Sequence, residues 1–251
     1  MSRPSVSALV ICQDEERHIA ECLESVAWCD EIVVVDSGSS DRTVELARKH
    51  ATRVLERAWT GIADQKNFAL AQATGDWVLN LDADERCTPA LRDAARAAIA
   101  SDPALAGFEV RRHAFYLDRW IDHGGWYPDW KLRLFRRGRG RFLARGPHDR
   151  VAAEGPVARL DAELVHLTYG DFADHLRTAQ RFSDVVAAEW AESGRRFSLA
   201  RALAHPPAKF LECWLWKQGF RDGWPGFVIA ATSAFYVFAK HVKLREKTRG
   251  R

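Results

Sequence analysis

Apolar residues in the first hundred positions come in short unbroken runs separated by helical patterns. Val6-Ser7-Ala8-Leu9-Val10-Ile11 and Glu31-Ile32-Val33-Val34-Val35-Asp36 read as strands buried on both faces. Between them Ile19, Leu23 and Val26 recur at helical spacing. A helix from Asp41 to about His50, a short strand over Thr52–Glu56, a helix over Ile62–Ala73 and a strand Trp77–Leu81 follow. Thr88 and Pro89 then supply an N-cap and a first-turn proline for a helix reaching about Ala100. Strands alternating with helices in this way predict βαβ units and an α/β fold with a mostly parallel sheet.

Ligands of such sheets sit beyond the carboxyl ends of the strands. Those ends carry Cys12 to Glu15, Asp36 to Asp41 and Asp82 to Glu85, three acidic clusters on one rim. In Asp82-Ala83-Asp84 two carboxylates follow a buried strand, and a hard divalent cation, Mg²⁺ or Mn²⁺, relieves their repulsion. Asp36 ends a strand before a Ser/Gly turn. It is either an acceptor for a nucleobase N–H or ribose hydroxyl, or a turn cap. Asp41 reads as a helix N-cap.

From Gly107 to Tyr169 the pattern becomes irregular, with strand-like pieces at Phe108–Arg112, Leu132–Arg136 and Leu164–Leu167. From Asp171 onward it is helical, with Leu176, Ala179, Phe182, Val186 and Trp190 on one face of a helix ending near Gly194. The expected division is 1–169 for the α/β domain and 170–251 for a helical region. Charge sharpens this picture, because His205–Arg251 holds nine Lys/Arg against three Asp/Glu. Within it lies a run of 17 residues without charge, Gly223–Ala239, flanked by tryptophans and closed by Lys240, Lys243, Arg245 and Lys247. The run suits an element lying in an anionic membrane interface, or a buried core helix. Its aromatics do not interleave with basic residues, so no nucleic-acid partner is expected. Five scattered cysteines without metal spacing fit free thiols in a reducing compartment. The first residues lack a signal-peptide pattern, so a cytoplasmic body is expected.

The runs Ser7–Glu16, Val35-Asp36-Ser37-Gly38-Ser39-Ser40-Asp41-Arg42-Thr43 and Leu81-Asp82-Ala83-Asp84-Glu85 stand in the order found in family 2 glycosyltransferases of the GT-A fold, which the chain resembles. Three later stretches, Gly124–Arg136, Gly146-Pro147-His148-Asp149 and Val165–Tyr169, resemble bacterial lipopolysaccharide core-oligosaccharide beta-1,4-glucosyltransferases. The resemblance implies a Rossmann-like mixed sheet flanked by helices, with a membrane-associating helical extension. By the same resemblance Glu15 and Asp36 would contact the nucleoside, and Lys66 and Asn67 would lie near it or the diphosphate. Asp82 and Asp84 would hold the metal with His166, while Gly124-Gly125 would close over the donor sugar. Asp149 would be the catalytic base, with Asp129 as the alternative. Relatives commonly carry His-Glu where this chain has His148-Asp149.

The implied reaction is inverting transfer of a hexose, glucose from UDP-glucose, to an inner-core heptose at the inner face of the bacterial inner membrane. An acceptor hydroxyl has a pKa far above neutral, so a positioned carboxylate must take its proton as it attacks. Arg133, Arg136, Arg137, Arg139 and Arg141 read either as acceptor-phosphate ligands or as a solvated edge hairpin. The rival readings are a transferase acting on another envelope glycan or polyprenyl-phosphate acceptor, a catalytically degenerate nucleotide-sugar scaffold, and a phosphohydrolase. The last expects its aspartate motif after the first strand, whereas here it follows the fourth.

Overall fold

The computed structural model describes residues 3–101, 104–145 and 148–249. The expected elements of the first hundred residues form. They are β1 (Val6–Cys12), α1 (Ile19–Ser25), β2 (Glu31–Asp36), α2 (Thr43–His50), β3 (Arg53–Glu56), α3 (Ile62–Gln72), β4 (Trp77–Asp82) and α4 (Pro89–Ser101). A short β5 (Glu85–Cys87) follows the aspartate triplet. Thr88 caps α4 as expected, its hydroxyl accepting from Leu91 N at 3.1 Å. Asp41 accepts from Thr43 N at 2.9 Å, so it secures the start of α2 from one residue before the N-cap position.

The irregular middle holds more strand than its apolar content suggests. β6 (Gly107–Tyr116), β7 (Arg119–Trp120), β8 (Asp129–Arg136) and β11 (Val157–Leu167) join the main sheet, while β9 (Gly140–Arg145) and β10 (His148–Ala153) form a separate antiparallel pair. The main sheet runs β3-β2-β1-β4-β8-β6-β11-β5, with β7 on β6. β1 pairs in parallel with both β2 and β4, whereas β8 meets β4 antiparallel, so the sheet is mixed. In β11 charged residues alternate with Ala162 and Leu164, which alone are buried; half-buried strands of this kind carry little apolar signal.

Two compact units emerge. The first comprises Met1–Arg112 and Trp130–His166, the second His113–Asp129 and Leu167–Arg251. The second thus takes in His113–Asp129, with the end of β6 and all of β7, ahead of the expected 169/170 boundary. The core of the first lies on both faces of the parallel strands, with Val10, Leu79 and Leu134 on one side and Leu9, Val78 and Phe135 on the other. All five cysteines are free thiols. Burial pushes the thiols of Cys12, Cys22 and Cys29 well above their ordinary range, and that of Cys87 to about 11.

The second unit contains α5 (Phe172–Glu192), α6 (Leu199–Leu211), a π-helical turn Glu212–Trp216, a 3₁₀ turn Gly219–Asp222 and α7 (Gly223–Thr248). α5 is capped by Asp171, whose carboxylate accepts from Asp174 N at 2.7 Å. Its buried stripe is His175, Ala179, Ser183 and Ala187, centred one residue away from the expected face. The two polar members explain the shift: Ser183 bonds back to Gln180 O, and His175 Nδ1 lies 2.8 Å from the Tyr116 hydroxyl. α7 is the apolar run. It buries Val228, Ile229, Ala230 and Thr232 but exposes Trp224, Phe227, Phe235 and Phe238, so it is half core and half surface. Among the described residues, Gly219–Thr248 is long and apolar enough to cross a membrane by length and composition.

His175 stacks on Tyr169 with ring centroids 4.4 Å apart, and burial lowers its pKa to about 4. A folded-state value below the unfolded one, about 6.5, means that the neutral ring stabilises the fold. That contribution is whole above about pH 6.5 and is lost as pH falls toward about 4. Linkage sets the loss at about 2 kcal/mol at pH 5. Urea unfolding at pH 7.5 and pH 5 should therefore show the parent chain losing about 2 kcal/mol more than His175→Phe. Equal losses in both chains would show that the ring does not titrate in this way.

Candidate active site

The site grows from the end of β4. Asp82 closes that strand, Ala83 and Asp84 make the turn, and Glu85 begins β5. Along this stretch Ala83 and Glu85 are buried while Asp82 and Asp84 are only partly covered, the alternation expected of extended chain. The buried Glu85 closes the turn by accepting from Asp82 N at 2.9 Å.

Three cations meet these carboxylates. Lys66, on α3 and only 1% exposed, places Nζ 2.7 Å from Asp82 Oδ1 and 3.1 and 3.2 Å from the Asp149 oxygens. Arg133 of β8, expected as an acceptor ligand or a solvated hairpin residue, is instead buried here. It donates to Asp82 Oδ2 at 2.8 Å and to Glu85 Oε1. Arg112 lies 3.5 Å from Glu85. Burial opposes ionisation of Asp82, but Arg133 and Lys66 outweigh it and hold the carboxyl well below the usual range. Burial prevails at Glu85 and raises it despite Arg133. Arg133 Nε is buried without a hydrogen-bond partner, which an oxygen-rich ligand or water would satisfy.

Asp84 is separate from this cluster. His166, opposite Glu85 in the β11–β5 ladder, brings Nε2 to 3.1 Å from Asp84 Oδ2. Burial pushes the Asp84 carboxyl up, and the facing His166 overrides it, leaving it below its ordinary value. Among the described residues no group of three or more His, Cys, Asp or Glu side chains surrounds a common metal position. The pair Asp84 and His166 nevertheless offers the oxygen and imidazole donors that suit Mg²⁺ or Mn²⁺ completed by phosphate oxygens and water. Asp82, expected beside them, has both its oxygens on Lys66 and Arg133.

Other expected ligands have local tasks. Asp36 is 1% exposed and accepts from Gly38 N and Ser39 N, both at 2.8 Å, so its carboxylate caps the turn after β2. Asn67 exchanges two 2.9 Å bonds with the backbone of Phe142, tying α3 to β9 rather than presenting its amide to a ligand. Glu15 N donates to Thr43 Oγ1 at 2.7 Å, and the residue is half-buried in the loop after β1. Gly146 and Pro147 lie outside the described residues, whereas His148 and Asp149 open β10. Asp129 starts β8 and falls in the second unit. Gly124 and Gly125 are in that unit too, with positive φ of 68° and 87°. Gly124 N donates to Lys217 O at 2.8 Å, and a Cβ on Gly125 would fall 2.6 Å from Lys217 Cδ.

Residues 7–156 match the profile of glycosyl transferase family 2, which spans more than half of the chain. The chain belongs to that family. It is 32% identical over 96% of its length to the lipopolysaccharide core biosynthesis glycosyltransferase LpsC of Rhizobium meliloti, 92% of which is covered. An uncharacterised glycosyltransferase of Rickettsia typhi is 29% identical over 96% of the chain and 87% of its own length. Among solved structures, the mannosyltransferase PcManGT of Pyrobaculum calidifontis, in complex with GDP-Man and Mn²⁺, superposes with a TM-score of 0.59 at 19% identity, covering 99% of this chain and 89% of that one. Glucosyl-3-phosphoglycerate synthase of Mycobacterium tuberculosis, with Mn²⁺ and UDP, gives 0.52 at 17% identity over 78% of this chain and 80% of its own. The fold of this family 2 glycosyltransferase is therefore GT-A, with a long apolar C-terminal helix added.

Arg133 is the main site residue that the sequence did not single out; its signal was the same-side spacing of Lys131, Arg133 and Phe135 on a strand whose partner, β4, carries the aspartates. Arg133→Met would leave one oxygen of Asp82 without its partner and Glu85 with the more distant Arg112 alone. Removing one partner of a buried ion cluster costs about 3–5 kcal/mol. Urea denaturation should show a loss of that order, and a variant within about 1 kcal/mol of the parent would show that the cluster does not hold the fold.

Proposed function

We propose that this glycosyltransferase is an inverting hexosyltransferase that moves glucose from UDP-glucose to an inner-core lipopolysaccharide acceptor at the inner face of the bacterial inner membrane. One observation carries the reading: buried Lys66 links Asp82, at the end of the donor-side strand, to Asp149 on the β9–β10 pair. A single ammonium thereby joins a carboxylate suited to taking an acceptor proton with the strand end where a diphosphate would sit. The preference for glucose and heptose rests on the resemblance of Gly124–Arg136, and the name of the Rhizobium relative supports only the lipopolysaccharide core.

In this reading Asp84 and His166 hold Mg²⁺ or Mn²⁺, with Asp82 behind them. The cation supplies Lewis-acid stabilisation of the departing diphosphate. Lys66 and Arg133 add fixed positive charge that needs no rearrangement as negative charge develops. Asp149 takes the acceptor proton while the hydroxyl attacks the anomeric carbon from the side opposite the leaving group, which inverts configuration. Asp129 is the alternative base. Glu15 borders the nucleoside; Asp36 and Asn67 serve it indirectly, by fixing the turn and the hairpin.

The membrane part of the proposal rests on the surface of the second unit. Leu199, Leu203 and Leu211 are exposed on α6 at intervals that keep one helical face, and α7 adds its own aromatics. With the basic residues at the end of α7, such a surface suits anionic headgroups.

Transfer from UDP-glucose should require Mn²⁺ or Mg²⁺ and fall roughly 100-fold or more in Asp84→Asn. Full activity in that folded variant would sink the metal assignment. A thermal-shift series with UDP-glucose, GDP-mannose and Mn²⁺ tests the donor, since a bound ligand stabilises the fold. For the membrane, changing Leu199, Leu203 and Leu211 together to Gln should reduce co-sedimentation with phosphatidylglycerol vesicles. Unchanged partitioning would refute the interfacial reading.

A further inference from the structure

The second unit contains a cleft of about 370 Å³ lined by Asp122, His123, Gly125 and Tyr127 on one wall and by Trp216, Lys217, Gln218 and Arg221 on the other. Its volume is within the about 300–1,000 Å³ usual for small-molecule sites. The second wall lies wholly beyond residue 156, where the family 2 match ends. The cleft therefore joins a segment inside the family match to one that lies beyond it.

The backbone around it is unusual at every step. The Glu212–Trp216 segment is a π-turn, closed by Lys217 N donating to Glu212 O at 2.8 Å, and such turns gather at functional sites. Gln218 follows with φ 56°, a left-handed conformation costly for a residue with a Cβ. Gly219 packs so tightly that a Cβ there would meet Cys213 O at 2.7 Å, and one on Gly226 would meet Gly219 O at 1.9 Å. These irregular steps present Trp216, Lys217, Gln218 and Arg221 together along one wall.

The lining has two chemical characters. Trp216, 81% exposed, and Tyr127 offer aromatic faces with polar edges, the surfaces on which a pyranose ring can rest. On the polar side, buried Asp222 accepts from both His123 N and His123 Nδ1 at 2.8 Å, which leaves Nε2 as the remaining polar atom of that ring. Asp122 lies 3.1 Å from His113 Nε2, and Lys217 Nζ lies 2.6 Å from Glu212. Arg221 bonds through Nη1 to Gln218 Oε1 at 2.8 Å and has no carboxylate partner among the described residues. Its guanidinium is thus the cation available for a bidentate anion.

We propose that this cleft is a binding subsite for a phosphorylated saccharide, with Trp216 and Tyr127 receiving the sugar ring and Arg221, assisted by Lys217, receiving the phosphate. That the saccharide is part of the acceptor rests on the transferase reading above; binding itself does not.

The test uses the full chain labelled with 5-fluorotryptophan, the Trp216 ¹⁹F resonance being assigned from Trp216→Phe. Glucose 6-phosphate should shift that resonance, with an affinity at least about tenfold tighter than glucose or inorganic phosphate alone. Arg221→Gln and Lys217→Gln, checked for unchanged melting, should weaken the phosphosugar and leave glucose unaffected. No shift with glucose 6-phosphate would overturn the proposal, as would equal affinity for inorganic phosphate (anion binding only) or for glucose (no phosphate recognition). In a transfer assay Arg221→Gln should raise the acceptor KM while the thermal shift with UDP-glucose and Mn²⁺ stays as in the parent. If the parent shows no donor response but the ¹⁹F result holds, the transferase reading fails and the subsite stands.

Discussion

Burying an ammonium group costs several kcal/mol unless opposite charge is already in place, and Lys66 is buried. Its position on α3 is tenable because Asp82 and Asp149 converge on it from β4 and β10. The next residue, Asn67, clamps the Phe142 backbone, so two consecutive helix positions fix where the β9–β10 pair meets the sheet rim. Arg133 repeats the arrangement from β8, joining Asp82 to Glu85. The candidate site and the architecture of the first unit therefore share one set of ion pairs.

Where apolar runs were continuous, the sequence was easy to read. β1, β2 and β4 follow from it because strands covered on both faces leave no polar alternative. The aspartate triplet was legible for the same reason: it directly follows such a run. Arg133 was hidden among arginines, and its same-side spacing with Phe135 was the one local sign that it turns inward. Lys66 and Asp149 are 83 residues apart, so their meeting depends on how β9 and β10 fold back. Asp36 was ambiguous because one carboxylate can serve a ligand or its own turn, and the bonds from Gly38 N and Ser39 N, which depend on the folded turn, show the second role. The cleft at Trp216 draws on two segments roughly ninety residues apart in the chain, and the second of them carries no motif.

The two units solve the problem of order differently. In the first, charge satisfaction at the rim sits on a regular apolar sheet. In the second, helices are joined by a π-turn, a left-handed residue and glycine contacts that no side chain could replace. Such connections tolerate little substitution, yet they leave large aromatic residues such as Trp216 and Trp224 in solvent, 81% and 69% exposed. Regularity marks the first unit, and irregular connections mark the second.

The free cysteines carry a practical consequence. A thiol reacts as its thiolate, and Cys12, Cys22, Cys29 and Cys87 are held protonated by their surroundings while Cys213 is buried. Towards a maleimide the folded chain should therefore react slowly at every native cysteine. A reporter thiol introduced at an exposed position would be labelled against a silent background, so distances and motions could be followed spectroscopically with every native residue but one left in place.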